Sequence, residues 1–389
     1  MPLPFAIHGS TIECHADHGI ELTGDVAPPI HLSTTFISGA EESRGQVYSR
    51  LDYVTRQRLE AVIGSVEGGH AMTYSSGQSA ATALIHCIKP HRIFVDAGYH
   101  GVKMAFKLWS ERQAAGLRQI EYLTIEDCQL LYETRANDQS QTSEDHHIDL
   151  IWLETPNNPY GTVADIAWFS ELASRTGACL TVDSTLSSPI GQRPLEHGAH
   201  VVMHSSTKYL SGHSDLVGGV LIVHPSMSES LLPRLRQDRS TDGAVMGNFE
   251  TWLLLRSMRT LSLRFERQSR TAMVLVHWLE KQRVEGNKVT HIHHPYLSSH
   301  PNYVLAKRYL RLPPATFSFE LRSESQAVSF ARSLLLCSNA TSLGGVETLV
   351  DWRFLYDKTI SPSLLRVSVG VEEPEDIIKD FDQALQKAI

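Results

Sequence analysis

The 389-residue chain reads as an α/β protein: a largely parallel sheet in a large unit, followed by a smaller C-terminal α/β unit. Two observations predict this. Short apolar runs recur between residues 71 and 224, separated by helix-like or loop segments of about 15–25 residues, the rhythm of buried parallel strands covered by helices. From residue 288 onward that rhythm gives way to a second mixture of strands and helices. Length alone favours two domains or one large one.

Taken in order, residues 1–47 are irregular and rich in His, Pro, Thr and Ser. They are too polar and broken to form a core, and packing on another subunit is expected. Residues 54–67 (VTRQRLEAVIGSVE) carry apolar positions at helical spacing, and Gly68-Gly69 stops the helix. The predicted strands are 71–74, 92–97, 120–125, 148–154, 179–184, 200–205 and 218–224. Residues 134–147 (TRANDQSQTSEDHH) lack periodicity and predict a surface loop. A long helical zone covers 247–284. The second unit contains KVTHIHH, ATFSFEL, SQAVSFARSLLL, LLRVSVG and a final helix in EDIIKDFDQALQKA. The division expected is 1–47, 48–245 and 246–389.

Composition excludes several classes. Acidic residues outnumber basic ones 43 to 35, a formal charge of −8, and no Lys/Arg run could track phosphates, so nucleic acid is not an expected partner. No run approaches 18 apolar residues, and MPLPFAIHGS lacks the pattern of a secretory signal. Cys14, Cys87, Cys128, Cys179 and Cys337 are widely spread, with no CxxC, and read as reduced thiols of a cytosolic protein. His291, His293 and His294 lack a compact ligand set, so a metal centre is not expected.

Four segments carry chemistry. In HVVMHSSTKYLSGHSDLVGG (200–219), Lys208 directly follows an apolar strand. Burying an ammonium is costly, and an imine with an aldehyde cofactor removes that cost. In CLTVDSTLSSP (179–189), Asp183 ends another strand, where a carboxylate can keep a pyridine nitrogen protonated. In TYSSGQSAATALIHC (73–87), Ser-Ser-Gly leads into a helix whose first N–H groups can hold a phosphate. In LETPNNPYG (153–161), Asn158 can hydrogen-bond a cofactor hydroxyl. Singly, each has an ordinary reading: a surface lysine, a turn aspartate, a helix cap, a turn. Together they describe a pyridoxal phosphate site.

With those residues the chain resembles the Cys/Met metabolism family of pyridoxal-phosphate enzymes, from PPIHLSTTF (28–36) to LLRVSVGVEEPEDIIKDF (364–381). That family includes cystathionine γ-synthases, cystathionine lyases, methionine γ-lyases and O-acetylhomoserine sulfhydrylases. The resemblance implies the aspartate-aminotransferase-like fold, fold type I. It implies that Lys208 bonds the cofactor aldehyde and shuttles protons, and that Asp183 pairs with the pyridinium. Tyr99 would stack on the ring and take part in proton transfer. Gly77 and Gln78 amides would hold the phosphate, helped by Ser205 and Thr207. Tyr48 and Arg50, in VYSR, would serve the neighbouring subunit's phosphate. Arg366 would clamp the α-carboxylate of a small amino-acid substrate, with Asn158 and Ser342 orienting cofactor and carboxylate. A homotetramer of two catalytic dimers is implied.

The chain departs from the family pattern in several places. After YSR it reads Leu51-Asp52-Tyr53-Val54-Thr55 where many members have Gly-Asn-Pro-Thr. Thr341 stands before SLGG where many members carry an acid, which removes an obvious partner for a distal ammonium. Gly101 replaces a cysteine found in many methionine γ-lyases, and 349–363 departs at Asp351, Trp352 and Arg353. GYHG, LETPxNPxGT and VDST resemble a fungal branch, some of whose members use carbon or amine nucleophiles. The expected reaction is γ-replacement on an O-activated L-homoserine, such as O-acetyl-L-homoserine, by a sulfur or carbon nucleophile through a vinylglycine-type intermediate. The alternative is a β- or γ-lyase of cystathionine, cysteine or methionine.

Overall fold

The computed structural model describes residues 9–20, 25–39, 46–95, 98–113, 120–137, 149–286 and 288–389. A seven-stranded sheet forms from β1 (His70–Tyr74), β2 (Arg92–Val95), β3 (Glu121–Leu123), β4 (Leu150–Glu154), β5 (Cys179–Asp183), β6 (Val201–Ser205) and β7 (Gly219–Val223). Its order is β1-β7-β6-β5-β4-β2-β3. Neighbours pair in parallel except for β7, which runs antiparallel to both β1 and β6. The reason lies in the β6–β7 connection. It contains no helix to carry the chain back across the sheet, so β7 must return beside β6 in the opposite sense. That return keeps Lys208 and its Gly-rich loop at the edge where β4, β5 and β6 end.

Strand alternation sorts the side chains onto two faces. On β4, Leu150 and Trp152 join the core under α3 (Gly77–Ile88), α4 (His100–Gln113) and α8 (Ser228–Asp242). Ile151 and Leu153 join the core on the opposite face, with α2 (Val54–Glu67), α6 (Ile166–Thr176), α9 (Asn248–Met258) and α10 (Leu261–Val284). That second core runs on without interruption to a five-stranded sheet. This smaller sheet has the order β10 (Ser338–Asn339), β11 (Leu349–Trp352), β12 (Leu364–Ser368), β9 (Thr316–Glu320) and β8 (His291–His293). Its pairs are antiparallel except β10–β11. Helices α12 (Glu324–Ser333) and α13 (Pro374–Ala388) bury Phe330 and Phe381 against Phe319 of β9.

Several elements refine the sequence reading. Helix α2 ends where predicted, and Gly68 takes the left-handed φ of 92° that closes it. The zone 247–284 is two helices with a break at Arg259-Thr260. The expected loop 134–147 begins differently. Residues 134–137 continue α5 (Ile125–Asn137), where the Thr134 hydroxyl donates to the Leu130 carbonyl and Leu131 is buried, and 138–147 lie outside the described residues. Within the irregular N-terminal stretch, α1 (Ser10–His15) packs on its own chain. Buried Glu13 accepts from the Ser262 N–H, and Asp17 pairs with Arg58 at 2.7 Å. Val26, Leu32 and Ile37 of the same stretch remain exposed. All five cysteines are free, and no described helix is long and apolar enough to cross a membrane.

Candidate active site

A cleft of about 690 Å³ opens where the strand ends meet the small sheet. It is lined by Gly77, Gln78, Tyr99, Asn158, Asp183 and Ser205 from the large sheet's edge. Thr207, Lys208, Thr341, Ser342, Arg353 and Arg366 line it as well. The sequence-predicted residues are thus brought together, with two exceptions. Tyr48 and Arg50 do not line the cleft of their own chain; Arg50 donates to the Ser240 carbonyl at 2.6 Å.

The phosphate end is the N-terminus of α3. Ser76 caps it by accepting the Ser79 N–H at 2.9 Å, which leaves the first-turn N–H groups of Gly77 and Gln78 without an intrahelical partner. Ser205 Oγ lies beside Gly77, 3.2 Å from where a Cβ there would sit. The Thr207 hydroxyl is already engaged, accepting from the Gly218 N–H at 3.0 Å and donating to its carbonyl at 3.3 Å. Gln78 turns its side-chain amide to the Gly101 carbonyl at 2.7 Å, so its contribution is the backbone. Two amides, a hydroxyl and a helix dipole fit a phosphate.

Deeper, Asp183 ends β5 and is buried, with Oδ1 accepting from Thr185 N and Oγ1 at 3.1 and 2.5 Å. Burial raises its pKa above the usual carboxylate range, against the pull of those two bonds and of nearby His204. A protonated pyridine nitrogen is the charge partner such a carboxylate lacks. Glu154, the neighbour of Asp183 in register, orients the opposite wall. Its carboxylate accepts from the Tyr99 N–H at 2.5 Å and the Asn158 N–H at 2.8 Å. Tyr99 is half-exposed at the cleft, tilted on His100. Gly101 leaves room for it, since a Cβ there would come within 2.6 Å of the Gln78 side-chain oxygen and closer to the Tyr99 ring.

Lys208 Nζ donates to Ser342 Oγ at 2.8 Å. Burial, and then the charges of Arg366 and Arg353, lower its pKa to about 8. The 342–344 loop is seated tightly on this lysine. Gly344 has φ 83°, and a Cβ there would lie 2.6 Å from the Tyr209 nitrogen, so only glycine fits. Arg366, on β12, is 3% exposed. It donates to Ser342 O at 2.6 Å and Asn158 Oδ1 at 3.3 Å, and pairs at 3.0 Å with Asp351, which lies opposite it in register. Burial holds its pKa down at about 10.

Sequence reasoning missed Glu154, Thr185 and Gly219. Glu154 had a signal, because it too is an acid closing a buried apolar strand. Thr185 and Gly219 had none. Of the altered segment, Arg353 lines the cleft and buried Asp351 accepts from it at 3.3 Å, while Trp352 turns away to donate to the Pro362 carbonyl at 2.8 Å. The acid missing at Thr341 has neighbours that the sequence did not place. An adjoining recess of about 920 Å³, sharing Thr341, Ser342 and Thr207 with the cleft, carries Asp215, Glu250 and Glu347.

Residues 10–386 match the family described as Cys/Met metabolism PLP-dependent enzyme. The chain is 33% identical to a cystathionine gamma-lyase of Dictyostelium discoideum, with 94% of each chain covered. It is also 33% identical to an L-methionine gamma-lyase of Pseudomonas putida, over 95% of this chain and 94% of that one. The solved structure of CalE6 from Micromonospora echinospora, described as a cystathione gamma lyase, superposes with a TM-score of 0.85 at 34% identity. It covers 98% of this chain and 100% of that one. The fold is therefore fold type I, the cofactor is pyridoxal phosphate, and the chain belongs to the Cys/Met metabolism family of pyridoxal-phosphate-dependent enzymes.

Proposed function

We propose that this enzyme is a β- or γ-lyase of a sulfur-bearing L-amino acid, such as cystathionine, cysteine or methionine, releasing ammonia and a 2-oxo acid. The observation that carries this reading is Lys208. Its amine is partly buried beside Ser342 and near Arg366, with a proton affinity low enough to exchange protons near neutral pH. The lyase relatives support the same reading.

Bound pyridoxal phosphate supplies the electron sink for charge developing at the substrate Cα. The chain's own residues do the rest. Gly77 and Gln78 amides and Ser205 hold the phosphate, Asp183 keeps a proton on the ring nitrogen, and Tyr99 covers the ring. Arg366, steadied by Asn158 and the Ser342 carbonyl, binds the α-carboxylate. Lys208 Nζ removes the Cα proton and returns a proton to the departing sulfur, with Ser342 Oγ limiting where the amine can point.

A second reading is γ-replacement on an O-activated L-homoserine, such as O-acetyl-L-homoserine, by a sulfur or carbon nucleophile. The neutral Thr341 favours it, whereas the acids of the adjoining recess favour a distal ammonium and hence the lyase. We also propose that Tyr48 and Arg50 complete the phosphate site of a second copy, in an assembly of two such dimers.

The test offers holoenzyme L-cystathionine, L-cysteine and L-methionine without an acceptor, with Lys208→Ala as the control, and measures 2-oxo acid. Release from at least one of them by the wild type alone is expected. Absence of release, together with thioether formed from O-acetyl-L-homoserine and a thiol, would replace the lyase reading with the second. Failure of both reactions would refute both.

A further inference from the structure

Arg353 begins the 3-10 turn after β11, and its side chain, 12% exposed, lines the cleft. The site already has a guanidinium in Arg366, whose Nη atoms are taken up by Asn158, Ser342 and Asp351. Arg353 is less occupied. Its Nη1 approaches Asp351 Oδ2 at 3.3 Å, and its buried Nε, like that of Arg366, has no partner among the described residues.

Asp351 is thus one carboxylate divided between two guanidiniums, because the same Oδ2 meets Arg366 Nη2 at 3.0 Å. The group, two guanidiniums and one carboxylate, is left with a surplus positive charge. Among the other described acids, Glu154 and Asp183 line the cleft but accept from Tyr99, Asn158 and Thr185. Asp357, near Arg353, already accepts from Thr359 N and Oγ1 at 3.0 and 2.6 Å. His100 and Tyr356 also line the cleft and bring no carboxylate. One α-carboxylate on Arg366 balances one charge and leaves Arg353 with unused donors inside a walled cleft. A buried guanidinium with an unsatisfied donor is costly, and a carboxylate is the group whose geometry matches it. Because both guanidiniums reach one oxygen of Asp351, they stand within two ion-pair lengths of each other. A single small molecule with two carboxylates can span them.

We propose that Arg353 forms a subsite for a second carboxylate, so that the enzyme selects reactants carrying one beyond the α-carboxylate. This rests on the amino-acid site described above, with Arg366 as the α-carboxylate clamp. The second carboxylate can belong to the amino-acid substrate, in its side chain or leaving group, or to an incoming nucleophile.

Unreactive ligands test it on the holoenzyme, with binding followed through the cofactor's visible band. The pairs are L-2-aminoadipate against L-norleucine and L-glutamate against L-norvaline, which differ in the terminal carboxylate. In the wild type at least one diacid should bind tenfold or more tightly than its partner. Arg353→Met should bring that ratio to within about twofold, and Arg353→Lys should retain part of it. Comparing ratios within each protein cancels any loss of folded enzyme. A wild-type ratio near one for both pairs, or a ratio unchanged in Arg353→Met, overturns the proposal while leaving the amino-acid site intact. No band change with any of the four ligands overturns both. Turnover then locates the carboxylate. Cystathionine against methionine, and O-succinyl- against O-acetyl-L-homoserine, report one on the substrate. 3-Mercaptopropionate against 2-mercaptoethanol, with O-acetyl-L-homoserine, reports one on the nucleophile. The expected result is a ratio that falls in Arg353→Met in at least one comparison, and no fall in any of them overturns the proposal.

Discussion

Replacing Gly219 with alanine should loosen the cofactor's phosphate cradle although residue 219 has no side chain of its own to contribute. Gly219 pairs in register with Tyr74 of β1 and Ser205 of β6, and its α-carbon faces the first turn of α3. A Cβ there would lie 2.6 Å from the Ser76 carbonyl carbon and 2.7 Å from Gly77 Cα, and closer still to the Ser76 oxygen. All three atoms are backbone, so no side chain can rotate out of the way. Comfortable carbon–carbon contacts begin near about 3.5 Å, so the helix terminus or β7 must yield by about 1 Å. Overpacking of this kind costs about 1–3 kcal/mol of fold stability. The larger consequence is for binding. Hydrogen bonds to a charged group are each worth about 1.5–3 kcal/mol. Misaligning the Gly77 and Gln78 amides together should cost about 2–3 kcal/mol, or roughly 30- to 150-fold in pyridoxal phosphate affinity. The assay is titration of cofactor-free protein with pyridoxal phosphate, read from the visible band, beside thermal unfolding of the same samples. A Gly219→Ala protein that binds pyridoxal phosphate within threefold of wild type would refute the reasoning, because the helix terminus would then not be where the phosphate sits.

Two further outcomes follow from charged groups. Lys208 must be neutral to bond the cofactor aldehyde, and a pKa near 8 leaves about a tenth of it neutral at pH 7, against about three in ten thousand for an ordinary lysine. The rate at which pyridoxal phosphate loads cofactor-free protein should therefore rise with pH and level off above about 8; a rate still climbing toward pH 10 would contradict the lowered value. Glu320 of β9 bonds His293 of β8 at 2.8 Å and also accepts from Ser361 Oγ at 2.7 Å, and the His293 bond, more than any other influence, lowers its pKa to about 2. A depressed carboxylate stabilises the fold fully above its unfolded value near 4.5 and loses that contribution as pH falls toward 2. Discounted for its partial exposure, this is about 1–2 kcal/mol. Glu320→Gln should unfold at lower denaturant concentration than wild type at pH 7, with the gap closing near pH 2; a gap that does not change with pH would show that packing, not charge, is lost.

The fold class was legible in the sequence because a strand buried on both faces must be apolar throughout, so runs such as Leu150–Glu154 and Cys179–Asp183 announce themselves. Lys208 and Asp183 were legible for the opposite reason: charged groups at the ends of such strands conflict with their surroundings and need a chemical explanation. The cradle at Gly77 was legible in the same local way, as a strand, a Ser-Gly cap and a helix in succession. Tertiary structure decided what depends on strangers in sequence. Glu154 becomes a scaffold for Tyr99 and Asn158 because β4 lies beside β5. Asp351 and Arg366 meet because β11 and β12 pair in that register, and Arg353 becomes a second guanidinium in the cleft because it begins the turn after β11. Gly219 matters because an antiparallel return of β7 presses it on α3, and Thr341 stands beside the acids of another recess. Periodicity and strand ends are properties of neighbouring residues, which a sequence records directly. Register, close backbone approach and shared charge arise between segments far apart in the chain, and folding alone brings them together.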